Sequence, residues 1–242
     1  MKTFQDKVVL VTGSGRGIGA ATAKLFAAAG ARVVIMSRTD AELKAVQKEI
    51  EKDFGGGRVL YLTADVSEES SVREVFEAAR KTFGSVDILI NNAAILSKVD
   101  LIDQEVDDWD RLMAVNMRGP FLCSREFLRQ AKVSGRGGVI INISSLAGIR
   151  GVEKFKGLSA YTASKHGMIG LTESLVLEAR EYGVRVHAVA PGLVDTAMLR
   201  QGAPFLKTRT KPGDIAEAVL FLCDESRYGK CSGTILEMHT HA

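Results

Sequence analysis

Short apolar runs alternate along this chain with longer stretches in which apolar positions recur every three or four residues. The runs are Lys7 to Thr12, Arg32 to Met36, Arg58 to Thr63, Val86 to Ile90, Val139 to Ile143, Val184 to Val189 and Thr234 to Met238. Their β-branched content and brevity read as buried strands. Between them, helical spacing covers Ala20 to Ala29, Asp40 to Asp53, Glu68 to Thr82, Asp107 to Val133 with Pro120 inside it, Tyr161 to about Tyr182, and Pro212 to Cys223. Strands that alternate with helices imply right-handed crossovers. The expected fold is therefore α/β: a single doubly wound Rossmann domain over residues 1–242, with a mainly parallel seven-stranded sheet and helices on both faces.

Composition changes this picture little. In 242 residues, 46% are apolar and 25% charged, and the net charge of +3 supplies no field that calls for nucleic acid or a membrane surface. No apolar window has the length of a membrane span. Cys123, Cys223 and Cys231 are odd in number and lack metal-ligand spacing, which reads as reduced thiols in a cytoplasmic protein. His166, His187, His239 and His241 are too scattered to suggest a metal, and none is assigned.

Chemistry gathers where the pattern breaks. The first strand runs into Gly13-Ser14-Gly15-Arg16-Gly17-Ile18-Gly19 and then a helix. That context gives a glycine motif meaning: glycines allow a tight turn and close backbone approach, and the helix start offers free N–H groups to a pyrophosphate. The second strand ends in Ser37-Arg38, where a site for NAD usually carries a carboxylate. Arg38, with Arg16 in the turn, suits a ribose 2'-phosphate instead, so NADP(H) is favoured over NAD(H). Further on, Tyr161 and Lys165 lie one turn apart on one helix face, where the cation is expected to depress the phenol's pKa and make it a general acid/base.

Taken with Asp65-Val66, Asn91-Asn92-Ala93-Ala94, Asn116, Asn142-Ile143-Ser144-Ser145 and Pro191-Gly192 with Thr196, these motifs resemble the short-chain dehydrogenase/reductase family over nearly the whole chain. The resemblance implies a catalytic set of Asn116, Ser145, Tyr161 and Lys165. Tyr161 would give the proton, Ser145 hold the carbonyl, Lys165 also bond the nicotinamide ribose, and Asn116 anchor a water. It further implies that Gly13, Ser14, Gly15, Arg16, Gly17, Ile18, Gly19, Ser37, Arg38, Asp65, Val66, Asn92, Ala93, Pro191, Gly192, Val194 and Thr196, with Tyr161 and Lys165, bind the cofactor, and that the Asn91 segment packs on the adenosine ribose. A homotetramer, or a dimer, is the implied assembly.

Four features depart from the family pattern. The stretch from Ser145 to Tyr161 is long, with its excess in Gly151 to Gly157; the lid after Thr196 is short, Ala197 to Lys211; Ala94 replaces a common glycine; and the C-terminus lacks Asp-Gly-Gly. The resulting expectation is a reversible NADPH-dependent carbonyl reductase acting on a small carbonyl or acyl thioester. Within it, 3-oxoacyl-[acyl-carrier-protein] reduction would need cations such as Arg125, Arg129, Lys132 and Arg136 to receive the carrier. The alternatives are a steroid, sugar or other secondary-alcohol dehydrogenase, and, in a different class, a silent NADPH-binding regulatory protein.

Overall fold

In a computed structural model that describes residues 3–203 and 205–239, seven strands form one sheet: β1 (Val8–Thr12), β2 (Arg32–Ser37), β3 (Val59–Thr63), β4 (Ile88–Asn91), β5 (Gly138–Ile143), β6 (Val184–Pro191) and β7 (Ile235–Met238). The order is β3-β2-β1-β4-β5-β6-β7, and all six pairings are parallel. β1 and β4 are buried at every position, as strands covered on both faces must be.

The period of two divides the apolar residues between two cores. Val9, Val11, Val33, Ile35, Ile90 and Ile141 join Phe26, Leu43, Ile50 and Ile215. On that face lie α1 (Gly17–Ala28), α2 (Asp40–Phe54) and, beyond the lid, the helix Pro212–Cys223. Leu10, Val34, Leu89 and Ile140 instead meet Phe76, Leu122, Phe127 and Leu175, on α3 (Glu69–Phe83) and on helices Gly119–Ser134 and Ser159–Arg180. Burying each such side chain contributes roughly 1.5–3 kcal/mol.

One expected helix proves to be three pieces. Asp107 to Val133 resolves into α4 (Val106–Met113), a π-helical turn (Ala114–Arg118) and α5 (Gly119–Ser134). Pro120 lacks an N–H at the start of α5, and Gly119 lies so close to Val66 that a Cβ there would stand 3.0 Å from Val66 Cγ2. The remaining helices are α6 (Ser159–Arg180), α7 (Ala197–Gly202), α8 (Pro212–Cys223) and α9 (Glu225–Tyr228). Of these, α7 lies within the short lid and α9 after α8, and both are too short for periodicity to reveal.

The chain reverses its direction of growth between β1 and β4. At such a switch point the two strand ends diverge and leave a crevice at their carboxyl edge. Thr12-Gly13 and Asn91-Asn92 stand there.

Candidate active site

A cavity of about 770 Å³ opens at this crevice. Gly13, Gly15, Arg16, Gly17, Ile18, Ser37, Arg38, Asp65, Val66, Asn92 and Ala93 border one end; Ser145, Tyr161, Lys165, Pro191, Gly192, Val194 and Thr196 border the other. Three expected site residues lie off its wall. The Ser14 hydroxyl is buried, donates to the Val11 carbonyl at 2.9 Å and accepts from Met36 N–H, so it ties the turn to β2. Gly19 serves close packing, since a Cβ there would come within 2.5 Å of Gly13 O and Asn92 Nδ2. Asn116 is the third.

The turn is locked to the end of β4. Thr12 Oγ1 accepts from the N–H groups of Asn92 and Ala93, each at 3.0 Å, and Asn92 Nδ2 donates to Thr12 O and Gly13 O. Gly13 has φ +63°, and a Cβ on it would stand 2.7 Å from Ala93 Cα, so only glycine suits the position. Within its segment, Asn91 points inward, donating to Ser124 Oγ and Asn142 Oδ1, while Asn92 and Ala93 border the cavity. Helix α1 begins at Gly17 with no side-chain cap and no acidic residue in its first turn. Its free N–H groups and positive dipole end suit a pyrophosphate, so these residues fit a dinucleotide.

At that end of the cavity, Arg16 Nη1 lies 3.5 Å from Glu42 Oε1 on α2. Glu42 also borders the cavity. Arg38 is exposed and makes no ion pair among the described residues. Asp65 Oδ1 accepts from the N–H and hydroxyl of Ser67, which holds the carboxylate at the wall.

At the other end, Ser145 precedes a 3-10 turn (Leu146–Gly148). Its Oγ accepts from Ala147 N–H at 3.1 Å and its hydroxyl bonds the Tyr161 phenol. Ser144 faces the other way, donating to Lys165 O at 2.9 Å and pinning α6 to β5. Lys165 Nζ donates to Ile143 O at 2.9 Å and stands 5.6 Å from the Tyr161 ring centroid. Burial holds its ammonium down at about 8. Here the structure overturns an expectation: Tyr161 is raised above the ordinary phenol value, because burial penalises the phenolate by more than the Ser145 bond favours it.

Asn116 lies behind the cavity wall. Its side chain is fully buried in the π turn, with Oδ1 accepting from Ile95 N–H at 2.9 Å and Nδ2 donating to Ile95 O and Ser164 Oγ. Ser164 in turn donates to Tyr161 O. Both side-chain N–H bonds are thus spent within the protein, and the side chain clamps the Ile95 segment to α6.

Residues 7–205 match the family model described as short chain dehydrogenase. The chain belongs to the short-chain dehydrogenase family. This short-chain dehydrogenase is 34% identical over 245 residues to an uncharacterized oxidoreductase of Thermotoga maritima, covering 96% of this chain and 93% of that one. Among solved structures it is similar to a 3-ketoacyl-(acyl-carrier-protein) reductase of Brucella melitensis complexed with NADH, at 35% identity, TM-score 0.88 and 96% of each chain. It is also similar to a levodione reductase, at 31% identity, TM-score 0.88, and 97% and 96% coverage.

In this short-chain dehydrogenase the lid is short but fastened. Thr196 caps α7 by accepting from Leu199 N–H, Thr208 Oγ1 donates to Leu193 O, and Asp195 pairs with Arg200 at 2.5 Å and Lys211 at 2.7 Å. Lys211 and, to a lesser extent, Arg200 hold the Asp195 carboxyl below its usual range. Met198, Leu199 and Leu206 border the cavity. Thr12 opens the glycine motif and fixes the turn, Lys154 lies in the long loop before Tyr161, and Glu42 is a site-bordering residue that motif reading missed. His239 borders the cavity and bonds Glu237; His241 lies outside the described residues. Cys123 and Cys223 are buried, Cys231 exposed, and all three are free thiols.

Proposed function

We propose that this short-chain dehydrogenase reduces a ketone with NADP(H), working reversibly as an alcohol dehydrogenase. The observation that carries the reading is the Ser145–Tyr161–Lys165 cluster on the cavity wall. Reduction leaves negative charge on the carbonyl oxygen, which needs a proton and hydrogen-bond donors. Ser145 holds that oxygen, and Tyr161 delivers the proton. When bound, the nicotinamide supplies the hydride. Lys165 keeps a positive charge beneath the phenol. A phenol, with an ordinary pKa of about 10, is protonated at neutral pH, so Tyr161 starts as the acid that the reducing direction needs.

The preference for NADP(H) rests mainly on Arg38, because Arg16 already has Glu42 beside it. A 3-oxoacyl thioester is one substrate class within this reading. Docking of an acyl carrier protein has less support, since three of the four cations assigned to it are paired: Arg125 with Glu69, Arg129 with Glu126 and Arg136 with Asp87. Assembly as a homotetramer belongs to the same reading, with exposed Val133 on α5 and Leu177 on α6 offering apolar surface.

The test is NADPH oxidation with acetoacetyl thioesters and a panel of ketones, run beside Tyr161→Phe. Turnover should fall on the order of 10²–10⁴-fold in the variant while NADPH binding survives. A folded protein that binds NADPH and turns over no ketone would favour the silent binding protein instead.

A further inference from the structure

The long stretch between Ser145 and Tyr161 places a cation where the reduction itself does not require one. Val152, Glu153, Lys154 and Phe155 from this loop all border the cavity. Lys154 is half-buried, and its ammonium donates to Leu146 O at 3.2 Å and Ile149 O at 2.5 Å. Those carbonyls belong to the 3-10 turn that follows Ser145 and to its C-terminal cap. The ammonium is therefore held beside the turn that carries the carbonyl-binding hydroxyl.

An ammonium has three N–H donors. Here two go to neutral acceptors, and among the described residues no carboxylate forms an ion pair with it. Such a partly desolvated cation gains from a counter-charge, and a carboxylate would supply a charge-assisted bond in a site drier than bulk water. Lys98, exposed on the same cavity, adds a second ammonium. Its Nζ stands 5.0 Å from the Phe205 ring centroid, again with no carboxylate in ion-pair range among the described residues. Lys98, Phe155 and Phe205 also wall a neighbouring hollow of about 410 Å³, where the nearby Asp100 is already paired with Lys156 at 2.6 Å. Glu153 lines the same wall, but it is exposed, where water screens its charge.

We propose that the substrate is a ketone bearing a carboxylate, with the carboxylate bound by Lys154, Lys98 reinforcing it, and Phe155 and Phe205 covering the carbon skeleton. This rests on the carbonyl-reductase reading. The ketone gains a hydride at carbon as its C=O π bond breaks and a proton from Tyr161 at oxygen, NADPH becomes NADP⁺, and the carboxylate is unchanged. A thioester or ester of the same acid leaves both lysines without a counter-charge, so the free oxo acid is the favoured form.

The experiment compares 2-, 3-, 4- and 5-oxo acids with their methyl esters on the NADPH-loaded enzyme by initial rates. In parallel, the same oxo acids and oxo esters are titrated calorimetrically onto the enzyme with NADP⁺ bound, a pairing in which no hydride can transfer. At one spacing at least, the acid should exceed its ester about tenfold or more in kcat/KM and in affinity. Lys154→Met should bring that ratio to within about threefold of unity, and Lys98→Met should lower it by a smaller factor. Lys154→Gln can still donate to the turn carbonyls without the charge, so it reads the same ratio if the methionine variant does not fold. A wild-type ratio near unity at every spacing, or a ratio that survives removal of the Lys154 charge, overturns the proposal. Absence of turnover with acids and esters alike counts against the reductase reading, and the calorimetric ratio then still decides whether a carboxylate is recognised.

Discussion

At the floor of the site, Ser144 and Lys165 on the cavity wall, with Asn116 and Ser164 packed behind it, are at most 3% exposed and each is bonded within the protein. At the rim, Arg16, Arg38 and Lys98 stand exposed, and the one ion pair among them, Arg16 with Glu42, is loose. The floor is built from buried polar groups whose partners cannot be replaced by water, so their geometry is set by the fold. The rim is built from charges that water screens, where one residue can change without unsettling the sheet. The difference assigns the chemical step to the floor and recognition to the rim. Substitutions at the two places should then differ in kind: floor changes should move turnover and stability, and rim changes should move selectivity alone.

The largest effect is expected from Lys165→Met. Loss of the cation beneath Tyr161 should lower turnover on the order of 10²–10⁴-fold. A second readout separates this from a binding defect. The folded-state ammonium sits at about 8 against 10.5 for an ordinary lysine. Between those values the unfolded chain binds more protons, so the folded state gains stability as pH rises across that window. Lys165→Met should flatten that rise in denaturant midpoints, and an unchanged slope would show that the shift lies elsewhere.

Asn116→Ala comes next. It strips the partners from Ile95 N–H and C=O and from Ser164 Oγ, and a buried group left unsatisfied costs about 1–3 kcal/mol. Urea unfolding should show a loss of roughly 2–4 kcal/mol, with lower kcat because the Ile95 segment and α6 lose their clamp. A stable variant with normal kcat would refute the clamp. The comparison itself would blur if a rim change cost as much.

Much of the scaffold was legible because its signals are local. Val8 to Thr12 and Ile88 to Asn91 are fully buried on both faces, so a continuous apolar run announces them. The glycine turn is equally plain, since Gly13 must be glycine for two independent reasons, its φ and its nearness to Ala93. What stayed hidden depends on partners distant in sequence. Helical spacing cannot show that residues 114–118 open into a π turn, because the apolar period continues through it. Nor can the Tyr-x-x-x-Lys spacing show how deeply the phenol is buried, and at Tyr161 burial outweighs the hydrogen bond from Ser145. Ser14 reads as a ligand contact in its motif, yet it turns its hydroxyl into the protein, toward Met36. Glu42 lies in no motif and becomes visible only once its helix is placed against the cavity.

Smaller effects belong to the rim. Arg38→Ser removes a cation without an ion pair among the described residues, at the glycine-turn end of the cavity, and under the proposed reading should lower the NADPH-to-NADH affinity ratio by about tenfold through loss of a charge-assisted phosphate contact. Its NADH affinity and urea midpoint should stay near those of the parent chain. Equal loss for both cofactors, measured by fluorescence titration, would place Arg38 outside the phosphate contact.

Glu42→Gln should act in the opposite direction and more weakly. Glu42 Oε1 lies 3.5 Å from Arg16 Nη1 and its carboxylate borders the cavity, with the Arg16 side chain 61% exposed and that of Glu42 35%. A 2'-phosphate arriving there must compete with the carboxylate for Arg16 and also meets its negative charge. Exposed pairs are worth about 0.2–1 kcal/mol, so neutralising Glu42 should raise the NADPH-to-NADH affinity ratio only about two- to fivefold. The gain should shrink as salt rises, because the repulsion removed is screened. If Glu42 were instead a hydrogen-bond acceptor for the unphosphorylated ribose, the same variant would lose NADH affinity and leave NADPH affinity unchanged. The two separate titrations distinguish repulsion of one cofactor from attraction of the other, and with it whether the rim selects by exclusion or by contact.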